Sequence, residues 1–187
     1  MRSAAPQSFV LASGSPRRRE LLQRLGLDFT VQPADLDESL RAGEAPHAYV
    51  ERLARAKAAA VPGDLVLAAD TTVAVGNEIL GKPVDEADAR RMLGLLSGRE
   101  HSVFTGIATK THARVVQTRV GFKALTEGEI AWYVATTEPY DKAGGYALQG
   151  LAAAFVVRID GSPTNVIGLP LVETLELLRT SGLKLPF

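Results

Sequence analysis

The chain contains no cysteine, which excludes a disulfide framework and a thiolate metal site and suits a reducing compartment. It also lacks an excess of charge: Lys+Arg and Asp+Glu each number 21. Without a global positive field, neither duplex nucleic acid nor an anionic lipid surface is an expected partner, and any polyanion site has to be built locally. No uninterrupted apolar run is long enough to span a bilayer, and the one following Pro6 is too short for a signal core before the basic cluster at Arg17. A cytoplasmic protein without a membrane partner is expected. No repeat, low-complexity tract or Pro/Gly/Ser-rich linker divides the sequence, so residues 1–187 read as one domain. Several signatures are missing as well: a GxxxxGK[ST] loop, a GxGxxG fingerprint, a kinase set and a serine elbow. His47, His101 and His112 fall in separate segments without zinc-site spacing and read as surface or turn residues.

What is present is 46% apolar residues, enough to close a core, in short runs that alternate with helix-period segments. That alternation predicts an α/β protein. Phe9 to Ala12 reads as a buried strand, broken by Ser13-Gly14-Ser15-Pro16, after which Leu21, Leu22 and Leu25 mark a helix that Gly26 stops. A second helix is expected from Pro46, then a strand from Leu65 to Val75 that turns back at Gly76-Asn77. Asp85 caps a third helix ending at Gly98; Val103–Ala108 and Val115–Phe122 read as strands; Thr126 with Glu129 forms a capping box. A Gly-rich loop from Asp141 to Gly150 precedes a strand near Phe155–Ile159 and a helix between Pro170 and Gly182.

The chemistry starts at Ser13-Gly14-Ser15-Pro16-Arg17-Arg18, an N-cap serine and N1 proline followed by two arginines in the first helical turn. A helix N-terminus is already partly positive, so cations there forgo ~0.3–1 kcal/mol relative to acidic residues. A bound phosphate reverses the sign, because backbone N–H groups and guanidinium forks then converge on one anion; the alternative is an exposed basic turn. Side chains diverge by about 100° per residue around a helix, which sends Arg19 to solvent.

Asp70 lies inside an apolar strand, where an unpaired carboxylate costs several kcal/mol or takes up a proton. A divalent metal, a lysine or an open strand end would each answer it, and a purely structural Asp is the competing reading. Lys57 falls at i+7 from Val50 on the stripe carrying Leu53 and Ala54, so it either points inward or snorkels to solvent along its stem. Lys82, on the return arm of the hairpin, is expected near Asp70. The acidic stretch Asp35-Leu36-Asp37-Glu38 offers a second carboxylate for Mg²⁺ or Mn²⁺. Together these are the parts for metal-assisted attack of water on a phosphoanhydride.

The motifs Leu11-Ala12-Ser13-Gly14-Ser15-Pro16-Arg17-Arg18, Ala69-Asp70-Thr71, Gly81-Lys82-Pro83, Leu96-Ser97-Gly98 with His101, Asp141-Lys142-Ala143-Gly144-Gly145-Tyr146 and Gly168-Leu169-Pro170-Leu171 resemble, in order, those of Maf proteins. The resemblance runs almost end to end. It implies a Maf/ITPase-like fold, an elongated, mixed, twisted sheet with flanking helices and an active-site cleft between two lobes, and it implies a homodimer. It further implies a nucleoside triphosphate pyrophosphatase: Asp70 as proton acceptor and metal ligand, Glu38 sharing a Mg²⁺ or Mn²⁺ ion, and Ser13, Arg18, Lys57 and Lys82 on the triphosphate. Arg17, Thr71 and Gln149 are similar to the branch acting on dTTP and UTP; the branch acting on 7-methyl-GTP carries tryptophan and glutamate at the first and last of these positions. The rival functions are a modified-purine pyrophosphatase and a nucleotide-binding regulator of septum formation.

Overall fold

The computed structural model describes residues 8–187. Strand β1 (Phe9–Leu11) is flanked by two parallel partners, β2 (Phe29–Val31) and β3 (Val66–Val75). Parallel neighbours need crossovers, and helices α1 (Pro16–Arg24) and α2 (Pro46–Ala60) provide them. A strand enclosed this way reads as a continuous apolar run, which explains Val66-Leu67-Ala68-Ala69. Gly76-Asn77 then turns the chain into β4 (Glu78–Leu80), antiparallel on β3 with Val73 opposite Leu80.

Helix α3 (Glu86–Leu96) and strands β5 (Glu100–Ala108) and β6 (Ala113–Phe122) follow, then α4 (Glu127–Val134), β7 (Val156–Asp160), α5 (Pro163–Ile167) and α6 (Leu171–Thr180). Three short 3₁₀ turns, Glu138–Asp141, Ala143–Gly145 and Leu151–Phe155, fill the Gly-rich region before β7. The hydrogen-bonded strand order is β2-β1-β3-β5-β6-β7, with β4 also on β3. The sheet is mixed, since β6 and β7 are antiparallel. The expected caps form: Asp85 accepts from the Asp88 N–H, and Thr126 and Glu129 bond reciprocally.

The chain forms two compact units, the first made of the segment ending at Asp70, Thr105–Val116 and Gly168–Phe187, the second of Thr71–Phe104 and Gln117–Ile167. Strands β3, β5 and β6 each pass from one into the other.

In the first unit the core around α2 is built from small residues, Ala12, Ala54, Ala58, Ala68 and Ala108, with Val61 and Val66. Small side chains let helix and sheet approach closely. One such close approach is at Gly106 of β5, where an added Cβ would lie 2.3 Å from the Val50 carbonyl oxygen of α2. The second unit has a bulkier core in which Leu93, Leu96, Phe122, Tyr133 and Phe155 pack together. Truncating such a leucine or phenylalanine to alanine costs about 2–5 kcal/mol.

Candidate active site

The loop between β1 and α1 is shaped by its own side chains. Ser15 caps α1 by accepting from the Arg18 N–H, and Pro16 occupies the first helical position, where its missing N–H costs nothing. Ser13, buried, accepts from the Ser15 N–H at 3.3 Å and from Arg18 Nη1 at 2.9 Å. Arg18 also donates from Nη1 to the Ala69 carbonyl and from Nε to the Gly168 carbonyl, each at 2.8 Å. This half-buried guanidinium therefore ties the loop to the residue before Asp70 and to the turn before α6. Arg17 is half-buried beside it, and Arg19 is exposed as expected.

Asp70 is 8% exposed, within β3. The group that answers it is Lys57, whose Nζ donates to Asp70 Oδ1 at 2.6 Å and lies 2.7 Å from Glu38 Oε1. Lys57 is inward because Val50, Leu53, Ala54, Lys57 and Ala58 form one buried face of α2. Of the two fates open to this lysine, the inward one is observed, and its ammonium is paired rather than snorkelled. The carboxylates differ in setting, since the Glu38 side chain is 49% exposed and that of Asp70 11%.

Burial pushes the Asp70 pKa above the ordinary carboxylate range; Lys57, through charge and hydrogen bond, and Arg18 work against that shift, and Glu38 adds to it. The result is a carboxyl with an upward-shifted affinity for protons, held beside a cation.

Glu38 lies in a long connection without regular structure, and α2 anchors it. Tyr49 donates from its hydroxyl to the Glu38 carbonyl at 2.9 Å, and Arg52 donates to the Ser39 carbonyl at 3.1 Å while gripping both oxygens of Glu44. Burial, with Asp70 and Glu38 nearby, pushes the Tyr49 hydroxyl up to about 12, so it stays protonated and remains a donor. Nothing local to Tyr49 and Arg52 marks them as site residues: they stand on α2 about two turns and about one and a half turns before Lys57, a placement that only the position of the acidic loop makes meaningful.

The first unit thus brings together Ser13, Arg18, Lys57, Glu38 and Asp70. Thr71, Lys82 and Gln149 belong to the second unit: Thr71 is half-buried in β3, Lys82 is exposed two residues beyond β4, and Gln149 is exposed in the turn before the 3₁₀ segment Leu151–Phe155.

His101 is not a surface or turn residue; it is 3% exposed in β5, with Nε2 sharing a 2.8 Å hydrogen bond with the Tyr146 hydroxyl and its ring edge-on to Phe122. The alternation of β5 turns it inward with Val103. Its Nδ1 has no hydrogen-bond partner among the described residues, and burial pushes its pKa down to about 4. His47 and His112 are exposed, on α2 and in the turn before β6.

Fold and site together define an α/β protein with a buried lysine–carboxylate pair at the end of the first unit's share of β3. The family model described as Maf-like protein matches residues 8–181, and the chain belongs to that family. It is 56% identical over 186 residues to the dTTP/UTP pyrophosphatase of Anaeromyxobacter dehalogenans strain 2CP-1, covering 95% of this chain and 96% of the relative. Proteins of the same name from Myxococcus xanthus and Sphingopyxis alaskensis are 56% and 54% identical, each over 95% of this chain and over 94% and 98% of their own lengths. The solved structure of the Staphylococcus aureus Ham1 protein aligns with a TM-score of 0.46 at 13% identity, over 91% of this chain and 98% of that one. No helix among the described residues is long and apolar enough to cross a membrane.

Proposed function

We propose that this protein hydrolyses dTTP and UTP at the α–β phosphoanhydride, releasing the nucleoside monophosphate and pyrophosphate and so clearing these nucleotides from the pool. Relatives that bear the name dTTP/UTP pyrophosphatase match nearly its full length at 50–56% identity. The observation that carries the reading is the placement of the Lys57 ammonium between Glu38 and Asp70. A protein that merely bound a polyanion would gain nothing from two carboxylates at its cationic centre.

The donor set fits a divalent metal. Two carboxylate oxygens already converge on one cation, and hard oxygen ligands suit Mg²⁺ or Mn²⁺, which usually take one or two carboxylates and complete their shell with water and substrate phosphates. Glu38 and Asp70 would hold the ion, which when bound supplies positive charge to the phosphate oxygens.

In this scheme a water oxygen attacks the α-phosphorus, Asp70 accepts its proton, and the bond from that phosphorus to the bridging oxygen breaks as pyrophosphate leaves. The raised pKa of Asp70 makes it a better base than an ordinary aspartate. Lys57, drawn from its carboxylates toward the triphosphate, and Ser13, Arg18 and Lys82 bind phosphate oxygens; Arg17, Thr71 and Gln149 read the base. We place the active protein in the cytoplasm as a homodimer.

Purified protein assayed for pyrophosphate release on dTTP, UTP, CTP and 7-methyl-GTP with Mg²⁺ or Mn²⁺ tests the proposal. Highest kcat/KM on dTTP and UTP is expected. Preference for 7-methyl-GTP, release of orthophosphate, or binding without turnover would overturn it.

A further inference from the structure

In the second unit Glu138 stands at a junction that neither the fold nor the proposed chemistry explains. Its carboxylate accepts from the Tyr133 hydroxyl at 2.8 Å, from the Leu151 N–H at 3.0 Å and from the Ala152 N–H at 3.3 Å. The Tyr133 ring is fully buried in the core, so one end of this contact is immobile. The other end is the backbone two and three residues beyond Gln149.

The chain there is shaped to receive the carboxylate. At Gly150 an added Cβ would lie 2.2 Å from Glu138 Oε2 and 2.5 Å from Oε1, so the carboxylate fills the place of a side chain. Gly150 has φ −116°, a backbone angle that any residue adopts, so a larger residue would fit the turn but would push the Glu138 carboxylate out of its place. The Gly150 N–H closes a turn onto the Ala147 carbonyl at 3.1 Å, and the Lys142 ammonium donates to the Glu138 carbonyl at 2.8 Å. The stretch from Lys142 to Ala152 is thereby stitched to one residue of the Glu138–Asp141 turn.

We propose that Glu138 is a specificity-positioning residue, whose carboxylate fixes the backbone on the C-terminal side of Gln149 and so the direction in which the Gln149 amide is presented to the base. This rests on the reading of Gln149 as the base-selecting residue. A glutamine amide tells uracil from cytosine only if its donor and acceptor are held in register with the base edge. An exposed side chain on an unanchored loop would make those contacts with any pyrimidine. The charged acceptor supplies that register, since hydrogen bonds to an ionised group are about twice as strong as neutral ones.

Glu138→Gln is the sharpest test, because it keeps the shape. Whichever way the amide turns, its NH₂ faces a backbone N–H, at Leu151 or at Ala152, and one contact is lost. The Tyr133 hydroxyl adapts by becoming an acceptor. Steady-state kcat/KM on dTTP, UTP and CTP, with thermal midpoints, is compared for the wild type, Glu138→Gln, Gln149→Ala and the double variant. The expected result is a fall of about tenfold on dTTP and UTP with a smaller fall on CTP. The dTTP/CTP ratio of the double variant should match that of Gln149→Ala alone, because one residue acts through the other.

Gly150→Ala should give the same selective loss from the opposite side of the contact, and it keeps the inference testable if Glu138→Gln does not fold. Equal losses on all three nucleotides, or losses that add in the double variant, would overturn the proposal while leaving Gln149 as base reader. If Gln149→Ala leaves the dTTP/CTP ratio unchanged, the base-reading role falls and this inference falls with it.

Discussion

Lys57 Nζ lies 2.6 Å from Asp70 Oδ1 and 2.7 Å from Glu38 Oε1, so one lysine serves two carboxylates, the first buried and the second facing solvent. The inner contact is the costly one to lose, because a buried carboxylate stripped of its cation has to take up a proton or be rehydrated.

Replacing Asp70 by Asn keeps the shape and removes the base. A fall in kcat of ~10²–10⁴-fold is expected, with nucleotide affinity retained and the fold intact. Normal turnover by Asp70→Asn would remove Asp70 from the mechanism, and failure to fold would make its role structural.

The acid limb of kcat/KM should report Asp70. A base works deprotonated, so the rate falls as pH drops through its pKa, which burial has raised above the usual carboxylate range. Lys57 holds that pKa down, so in Lys57→Met the limb should move to higher pH in whatever activity remains. The same substitution should lower the thermal midpoint more at high pH, where Asp70 is left ionised, than at low pH, where it can take up a proton. An unmoved limb, or one that moves to lower pH, would contradict the pairing.

Lys57 and a divalent ion compete for the same oxygens. Without nucleotide, Mn²⁺ should therefore bind Lys57→Met more tightly than the wild type, as titration calorimetry or the paramagnetic resonance of free Mn²⁺ would show. Equal or weaker binding would argue against Glu38 and Asp70 as the ligands.

Gln149→Glu should cost about ten- to a hundredfold in kcat/KM on dTTP and UTP, since a carboxylate cannot donate to a uracil carbonyl. CTP should lose less, because its exocyclic amine can donate to the new carboxylate. A uniform fall across the three would assign Gln149 to the loop and not to the base.

His101 makes stability depend on pH. Its pKa is about 4 when folded, against an ordinary value near 6.5, so the unfolded chain binds the extra proton between those limits. The contribution is complete above about pH 6.5 and is lost as pH falls toward 4, on the order of 2–4 kcal/mol in all. Denaturant titrations of His101→Phe should show a flatter dependence across that window; an unchanged slope would exclude His101 as its source.

Much of this was legible in the chain. The apolar run before Asp70, the Thr126–Glu129 box and the stripe through Val50 and Lys57 are local patterns, and local patterns survive folding. Two short elements were not legible. Strand β2 is three residues of mostly exposed side chains that owe their conformation to pairing with β1, and α5 is a single short turn of helix after Gly161-Ser162. The inward placement of His101 has no local signature, because three scattered histidines carry no pattern and only the alternation within β5 turns this one inward. In the site, Asp70 announced that it needed a cation, but the choice of Lys57 depends on how closely α2 approaches β3. Tyr49, Arg52 and Glu138 act through backbone groups distant in sequence, and no spacing rule reveals such contacts.

The closeness of α2 to the sheet depends on Gly106, a residue without any chemistry of its own. Lys57 stands about two helical turns beyond Val50, the residue whose carbonyl fills the space over that glycine. Even a methyl group there would tilt or lift the helix and draw the ammonium away from Asp70 at the far end of the lever. Among natural variants of this chain, position 106 should therefore be as intolerant of change as the reactive carboxylate itself, and a survey of inactivating mutations would find a hot spot where no reacting atom is found.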